Sequence, residues 1–302
     1  MRFVGVPMRW LWLGIVAVAL TGGPAEAEES PDVLTEPTTV RFAPFEAGEV
    51  VRLQEEAVAE ATTDILLAGE VLATSETVNR SSCAVEMRVL KWKPNKKIAD
   101  LVYGACADVT RTTVLGEESI DGGGLSIQKN TYRVTANARG IAHYKGPDRD
   151  EVGQERLAED WSWFVAQPRG STRKARTLDL AVGQPVADEP RIAELITLLF
   201  QDGMLTVQKA EAFYVGVAEL NGRRAAMVTV DAVVAGTQET LDISLTQEGV
   251  LALDLETGTL VKAVLPEGQT TFEGTVTTDD GAVLQLSGTG TLTLDVATTL
   301  QR

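Results

Sequence analysis

Two cysteines, one histidine and two S-x-x-K tetrads are the residues of this chain whose types invite chemistry. Cys83 and Cys106 close the stretch CAVEMRVLKWKPNKKIADLVYGAC. A thiol pair can be a redox centre, part of a metal site, or a disulfide. The redox motif C-x-x-C is absent. A metal site needs more ligands, and His143 is the only imidazole in the chain. That leaves a disulfide, provided the chain can bring the two sulfurs together.

The turn between them can. Lys93-Pro94-Asn95-Lys96 is a good four-residue loop, with proline pre-set for the second turn position and asparagine tolerant of the bend. Trp92 then faces Lys97. Counting outward from there sets Val89 against Asp100, Met87 against Val102, Val85 against Gly104, and Cys83 against Cys106. Directly opposed residues in an antiparallel pair lie within disulfide reach. The face holding the cysteines would also carry Val85, Met87, Val89, Ile98 and Val102. The solvent face would carry Glu86, Arg88, Lys97 and Tyr103. That alternation belongs to a half-buried pair of strands.

The remaining candidates fail as catalysts. Ser126-Ile127-Gln128-Lys129 and Ser171-Thr172-Arg173-Lys174 fit S-x-x-K, but the S-D-N and K-T-G companions of the penicillin-binding enzymes are missing. Ser126 falls in strand-like sequence and Ser171 in a connector. His143 sits in GIAHYKG, the end of a strand, with no serine or cysteine motif around it. Asn79-Arg80-Ser81 is a glycosylation sequon, relevant only in a eukaryotic secretory host. No phosphate loop, H-E-x-x-H or EF-hand loop is present. The expectation is no catalytic residue, no cofactor-binding residue and no metal ligand, so not an enzyme.

A disulfide requires an oxidising compartment. The chain opens MRFVGVPMRWLWLGIVAVALTGGPAEAEES. Arg2 and Arg9 precede an apolar run too short to span a bilayer comfortably, and Ala25-Glu26-Ala27 has the small-x-small form of a cleavage site. Residues 1–27 read as a signal peptide cut between Ala27 and Glu28, which makes the product periplasmic or extracellular. Removing Arg2, Arg9 and Glu26 takes the formal charge from −16 to −17. So acidic a surface repels phosphate backbones, which excludes nucleic acid as a partner, and it disfavours anionic lipid headgroups. No later run is long or apolar enough for membrane insertion.

The elements that hold the cysteines belong to a β-rich chain. Residues 28–45, rich in proline, glutamate and threonine, read as a flexible leader. Residues 46–300 read as one β-rich domain, with strand blocks at 46–147 and 204–300 joined by a helical segment at 148–203. In 48–61 the apolar spacing fits either a strand or a helix, with the odd-position alternation favouring a strand. Strand-like segments follow at about 64–79, 83–92, 97–110, 129–137 and 139–145, and Asp121-Gly-Gly-Gly124 reads as a loop. In DEVGQERLAEDWSWFVAQP the spacing of Val152, Leu157, Trp161 and Val165 is near helical, ending at Pro168. A second helix starts from an Asp188 cap with Pro190 in its first turn. Its stripe is Ile192, Leu195, Ile196, Leu199 and Phe200, and Gly203 follows its end. PRGSTRKARTLDLAVGQPV between them reads as a solvated basic connector. The second block is a meander with turn signals at Asn221-Gly222, Thr257-Gly258, Pro266-Glu-Gly268 and Asp280-Gly281. TYRVTANARGIAHYKG and LDISLTQEGVLALDLETG both read as strand, glycine, strand, a loose internal likeness.

EGVLALDLETGTLVKAVL is similar to the D-x-x-T-G turn signature of secreted bacterial proteins of unknown function. The element order resembles LolA/LppX-like half-barrels, in which a curved sheet wraps around helices. The resemblance covers most of the mature chain but places no binding residue. It implies long antiparallel strands in a curved sheet or half-barrel packed on one or two helices. It also implies an apolar ligand, such as a lipid, carried in the concavity. The alternative partner is an envelope protein, for a chain that is a structural or interaction component with no small ligand.

Overall fold

Alternation of apolar and polar residues over very long runs dictates very long strands. The computed structural model describes residues 32–301 except 138, 168, 170–173, 201–204, 239 and 278–281. The expected signal peptide with its Ala27/Glu28 junction, Pro168, Ser171, Gly203 and the expected Asp280-Gly281 turn lie outside the described residues.

The first block holds β2 (Val50–Leu67), β3 (Glu70–Lys93), β4 (Lys96–Val114), β5 (Glu117–Gly124), β6 (Thr131–Asn137) and β7 (Ala142–Lys145). The second holds β9 (Leu205–Leu220), β10 (Arg223–Gln238), β11 (Leu241–Asp254), β12 (Leu260–Thr277) and β13 (Val283–Gln301). These form one 11-stranded antiparallel sheet in the order β7-β6-β4-β3-β2-β13-β12-β11-β10-β9, with β5 beside β6 on the same edge of β4. The last strand joins the blocks: β13 pairs with β2 from Gln285↔Leu66 to Gln301↔Val50. Three hairpins use two-residue loops with both φ angles positive, Ala68-Gly69, Leu115-Gly116 and Asn221-Gly222. Such loops match the right-handed twist of their strands.

Residues 38–42, expected within a flexible leader, instead form β1 (Thr38–Phe42) and pair with β8 (Arg176–Leu180) in a separate two-stranded sheet. Val40, Phe42 and Phe45 are buried apolar anchors that the proline-rich composition disguised. The basic connector is corrected by the same pairing, since it supplies β8. The ambiguous 48–61 stretch is strand from Val50 onward. Asp121-Gly-Gly-Gly124, expected as a loop, is the end of β5 and pairs with Ala107–Thr110. Pro266-Glu-Gly268 is not a turn but a bulge inside β12, between Leu265 and Gly268. LDISLTQEGVLALD is one bulged strand, β11, whereas β6 and β7 form a hairpin, so the internal likeness has no structural counterpart.

Among the described residues, two helices cover the sheet. Helix α1 (Glu151–Ala166) is capped by Asp150, whose carboxylate accepts from the Gly153 amide at 2.8 Å. Helix α2 (Pro190–Phe200) buries all five residues of its expected stripe. The inward residues of the sheet, both helices, β1 and β8 share one core that includes Met87, Leu101, Leu157, Leu195 and Val296. Sheet and helices thus form two layers around a single interior.

Candidate functional site

The sulfurs of Cys83 and Cys106 are bonded, 2.02 Å apart, in direct cross-strand register. The route to that register differs from a simple count. Trp92 faces Lys97 as expected, but Leu90 is bulged out of β3, so Val89 meets Ala99, Met87 meets Leu101 and Val85 meets Tyr103. A second irregularity between Val85 and Cys83 restores the count. Between the bulges every β4 side chain changes face, because side-chain direction has period two. Tyr103 is therefore buried, whereas Ile98 and Val102 lie on the outer side. No sequence signal marks Leu90 as the inserted residue.

Tyr103 turned inward completes a buried polar network that spacing alone did not reveal. Its hydroxyl donates to Asp160 on α1 at 2.8 Å, and Arg156 bridges Asp160 to Glu55 on β2. All four residues are buried. Burial, then the adjacent Asp160 carboxylate, pushes the Tyr103 hydroxyl well above its ordinary range. A second pair pins the far end of α1. Arg169 holds both oxygens of Glu49 at 2.9 and 3.0 Å, donates to the Ala43 and Pro44 carbonyls, and stacks 4.5 Å over Phe45. Phe45 meets Trp92 edge-on, and Trp92 lies 5.7 Å from Trp161. These arrays orient helix on sheet. The D-x-x-T-G turn is equally structural: Asp254 accepts from the Thr257 amide and hydroxyl and pairs with Arg223.

The sequence candidates are scattered. His143 is exposed on β7, opposite Thr135. Ser126, expected in a strand, lies in a turn, where its hydroxyl donates to the Asp150 carboxylate at 2.7 Å and so steadies the α1 cap. Asn79 is buried on the inner side of β3, where the folded chain leaves no exposed position for a glycan. Among the described residues, no group of three or more His, Cys, Asp or Glu side chains is placed to hold a metal ion.

Two places have the chemistry of a binding site. The inner face of β3 carries Ser75, Thr77, Asn79 and Ser81 in succession, all buried. Ser75 Oγ and Asn79 Oδ1 have no hydrogen-bond partner among the described residues. Inward residues at the same end of the sheet, on β11, β12 and β13, include Ile243, Phe272 and Leu286. On the outer side at the same end, an open trough of about 980 Å³ crosses β2, β13, β12, β11, β10 and β9. Its lining is threonine, serine, glutamine, aspartate and glutamate, with small and apolar residues between.

No family model matches the chain, and neither does any curated protein. The LolA/LppX resemblance therefore has no family match behind it. Among solved structures, lipovitellin, described for its lipid–protein interactions, matches at a TM-score of 0.31 and 10% identity over 85% of this chain. The chain spans only 26% of the length of that lipovitellin chain. An outer membrane channel from Pseudomonas putida F1 matches at a TM-score of 0.23 and 7% identity, over 85% of this chain and 98% of that one. The outer membrane protein OprG from Pseudomonas aeruginosa matches at 0.15 and 5%, over 85% of this chain and 99% of that one. Scores this low carry no argument about function. Among the described residues, no helix is long and apolar enough to cross a membrane.

Proposed function

We propose that the protein is a non-enzymatic, exported protein of the bacterial envelope that holds an amphiphilic, largely apolar ligand between its sheet and its helices. The observation that supports this reading is the polar row on β3, whose Ser75 Oγ and Asn79 Oδ1 are buried without a hydrogen-bond partner among the described residues, at an end of the sheet where Ile243, Phe272 and Leu286 also point inward. An unpartnered buried hydroxyl or amide costs about 1–3 kcal/mol. Ser75 and Asn79 carry that cost, and a ligand with a polar end and an apolar body would remove it. The disulfide and the signal-like pattern of the amino-terminal sequence support the exported location.

Native mass spectrometry of protein purified from its own host tests the reading. We expect one added mass of lipid size, and less of it in the Ser75→Ala/Asn79→Leu variant. A variant that only gains stability, from a host protein that never carries an adduct, overturns it. The second reading, an interaction component without a small ligand, is favoured by the exposed Leu67, Val71, Leu72 and Leu115 at two hairpin tips. Loss of a co-purifying envelope protein on polar replacement of those tips would support that reading instead.

A further inference from the structure

The outer trough has a regular floor. Thr62, Thr289, Thr271, Ser244, Ala235 and Thr206 form one unbroken cross-strand row, each the direct partner of the next. A second row runs parallel to it: Asp64, Ser287, Glu273, Asp242 and Thr237. These side chains alternate with the buried inward ones, so both rows face solvent. Six strands at roughly 4.8 Å spacing make the first row about 24 Å long.

We propose that this trough binds an extended, neutral, polyhydroxylated chain, that is, an oligosaccharide or polysaccharide lying across the strands. The chemistry of the lining selects this class. No lysine or arginine is among the described lining residues, so nothing neutralises a phosphate, sulfate or uronate. Aliphatic side chains are too few for an acyl chain. Threonine and serine hydroxyls both donate and accept, as sugar hydroxyls do, and carboxylates accept from them. Two of the carboxylates are already oriented, since Thr74 donates to Asp64 at 2.8 Å and Thr237 to Asp242 at 2.7 Å. The one aromatic residue of the lining, Phe272, is buried on the inward face of β12. Without a stacking platform, affinity must come from many repeated hydrogen bonds, so binding should grow with ligand length.

Titration calorimetry of the intact protein provides the test. The probes are neutral gluco-, manno- and N-acetylglucosamine oligomers from disaccharide to hexasaccharide, with polygalacturonate and spermine beside them. At least one neutral series should bind with affinity that rises with length, and polygalacturonate should not bind. Thr271→Val/Thr289→Val removes two central hydroxyls at constant shape and should weaken the hexasaccharide at least tenfold with an unchanged melting temperature. Thr299→Val, at the far end of β13, should leave binding intact. The proposal is overturned if no neutral series shows length-dependent binding. It is equally overturned if spermine binds more tightly than every sugar, or if the double variant binds as the parent does.

Discussion

Tyr103 shows how one side chain can decide the chemistry of an interface. Its hydroxyl is the neutral member of the buried Tyr103–Asp160–Arg156–Glu55 set. Tyr103→Phe leaves Asp160 with one buried acceptor position unfilled, and should lower stability by about 1–3 kcal/mol in a urea melt. The pH dependence has a definite sign. The folded pKa is raised, so the folded chain keeps the proton that the unfolded chain releases near the ordinary tyrosine value of about 10. The Tyr103 contribution is complete below that value and is lost as pH rises above it. Tyr103→Phe should accordingly flatten the alkaline limb of the stability profile. An unchanged limb would assign alkaline unfolding to other groups. The disulfide acts at the same scale. It closes a loop with a sequence separation of 23 residues, and the chain-entropy estimate for such a loop is about 3 kcal/mol. Cys83→Ala/Cys106→Ala should lower the urea midpoint by a corresponding amount, and a reductant should then have no further effect on the melt.

At the scale of elements, helix α2 was the most legible part of the sequence. Its cap, its proline and its five-residue stripe all point to the same helix, and that agreement across levels is what makes a local reading safe. Leu195 is fully buried, so Leu195→Ala should cost about 2–5 kcal/mol in a denaturant melt. A loss well below that range would mean that the site collapses around the missing side chain. The strands of the first block were legible in kind but not in register, because a bulge such as Leu90 depends on fit between strands and leaves no composition behind. β1 was missed for the converse reason: Val40 and Phe42 are anchored by partners far along the chain, as Arg169 is by Glu49. The trough was not legible at all. Its rows join residues from β2 to β13 that only the completed sheet brings side by side. Close packing sets one further limit there. A side chain at Gly288 would run into the Phe272 ring, its direct cross-strand partner, and into the Thr62 carbonyl oxygen of β2. Gly288→Ala should destabilise by about 1–3 kcal/mol, which a thermal melt would register. A neutral result would show that both the ring and the β2 backbone have room to move aside.

At the scale of the molecule, the order of the strands makes the two halves dependent on each other. Had β13 ended at an edge, the second block could have folded by itself. Instead it completes the sheet against β2 along nearly its whole length, and the helices from the middle of the chain share the core of both blocks. Unfolding the second block would strip β2 of a full ladder of hydrogen bonds and expose the inner faces of both halves. Such coupling makes a single cooperative transition the expected behaviour. The tryptophans allow a direct check, because all three of the described ones, Trp92, Trp161 and Trp163, lie in the first block or α1. Tryptophan fluorescence therefore reports the first half, and far-ultraviolet circular dichroism reports the whole sheet. The two melts should coincide. Leu294→Ala, a buried β13 change directly opposite Ala57 of β2, should shift both midpoints equally, at a cost of about 2–5 kcal/mol. A circular dichroism midpoint that moves while the fluorescence midpoint stays would mean that the blocks unfold separately, and the continuous sheet would then not be the cooperative unit.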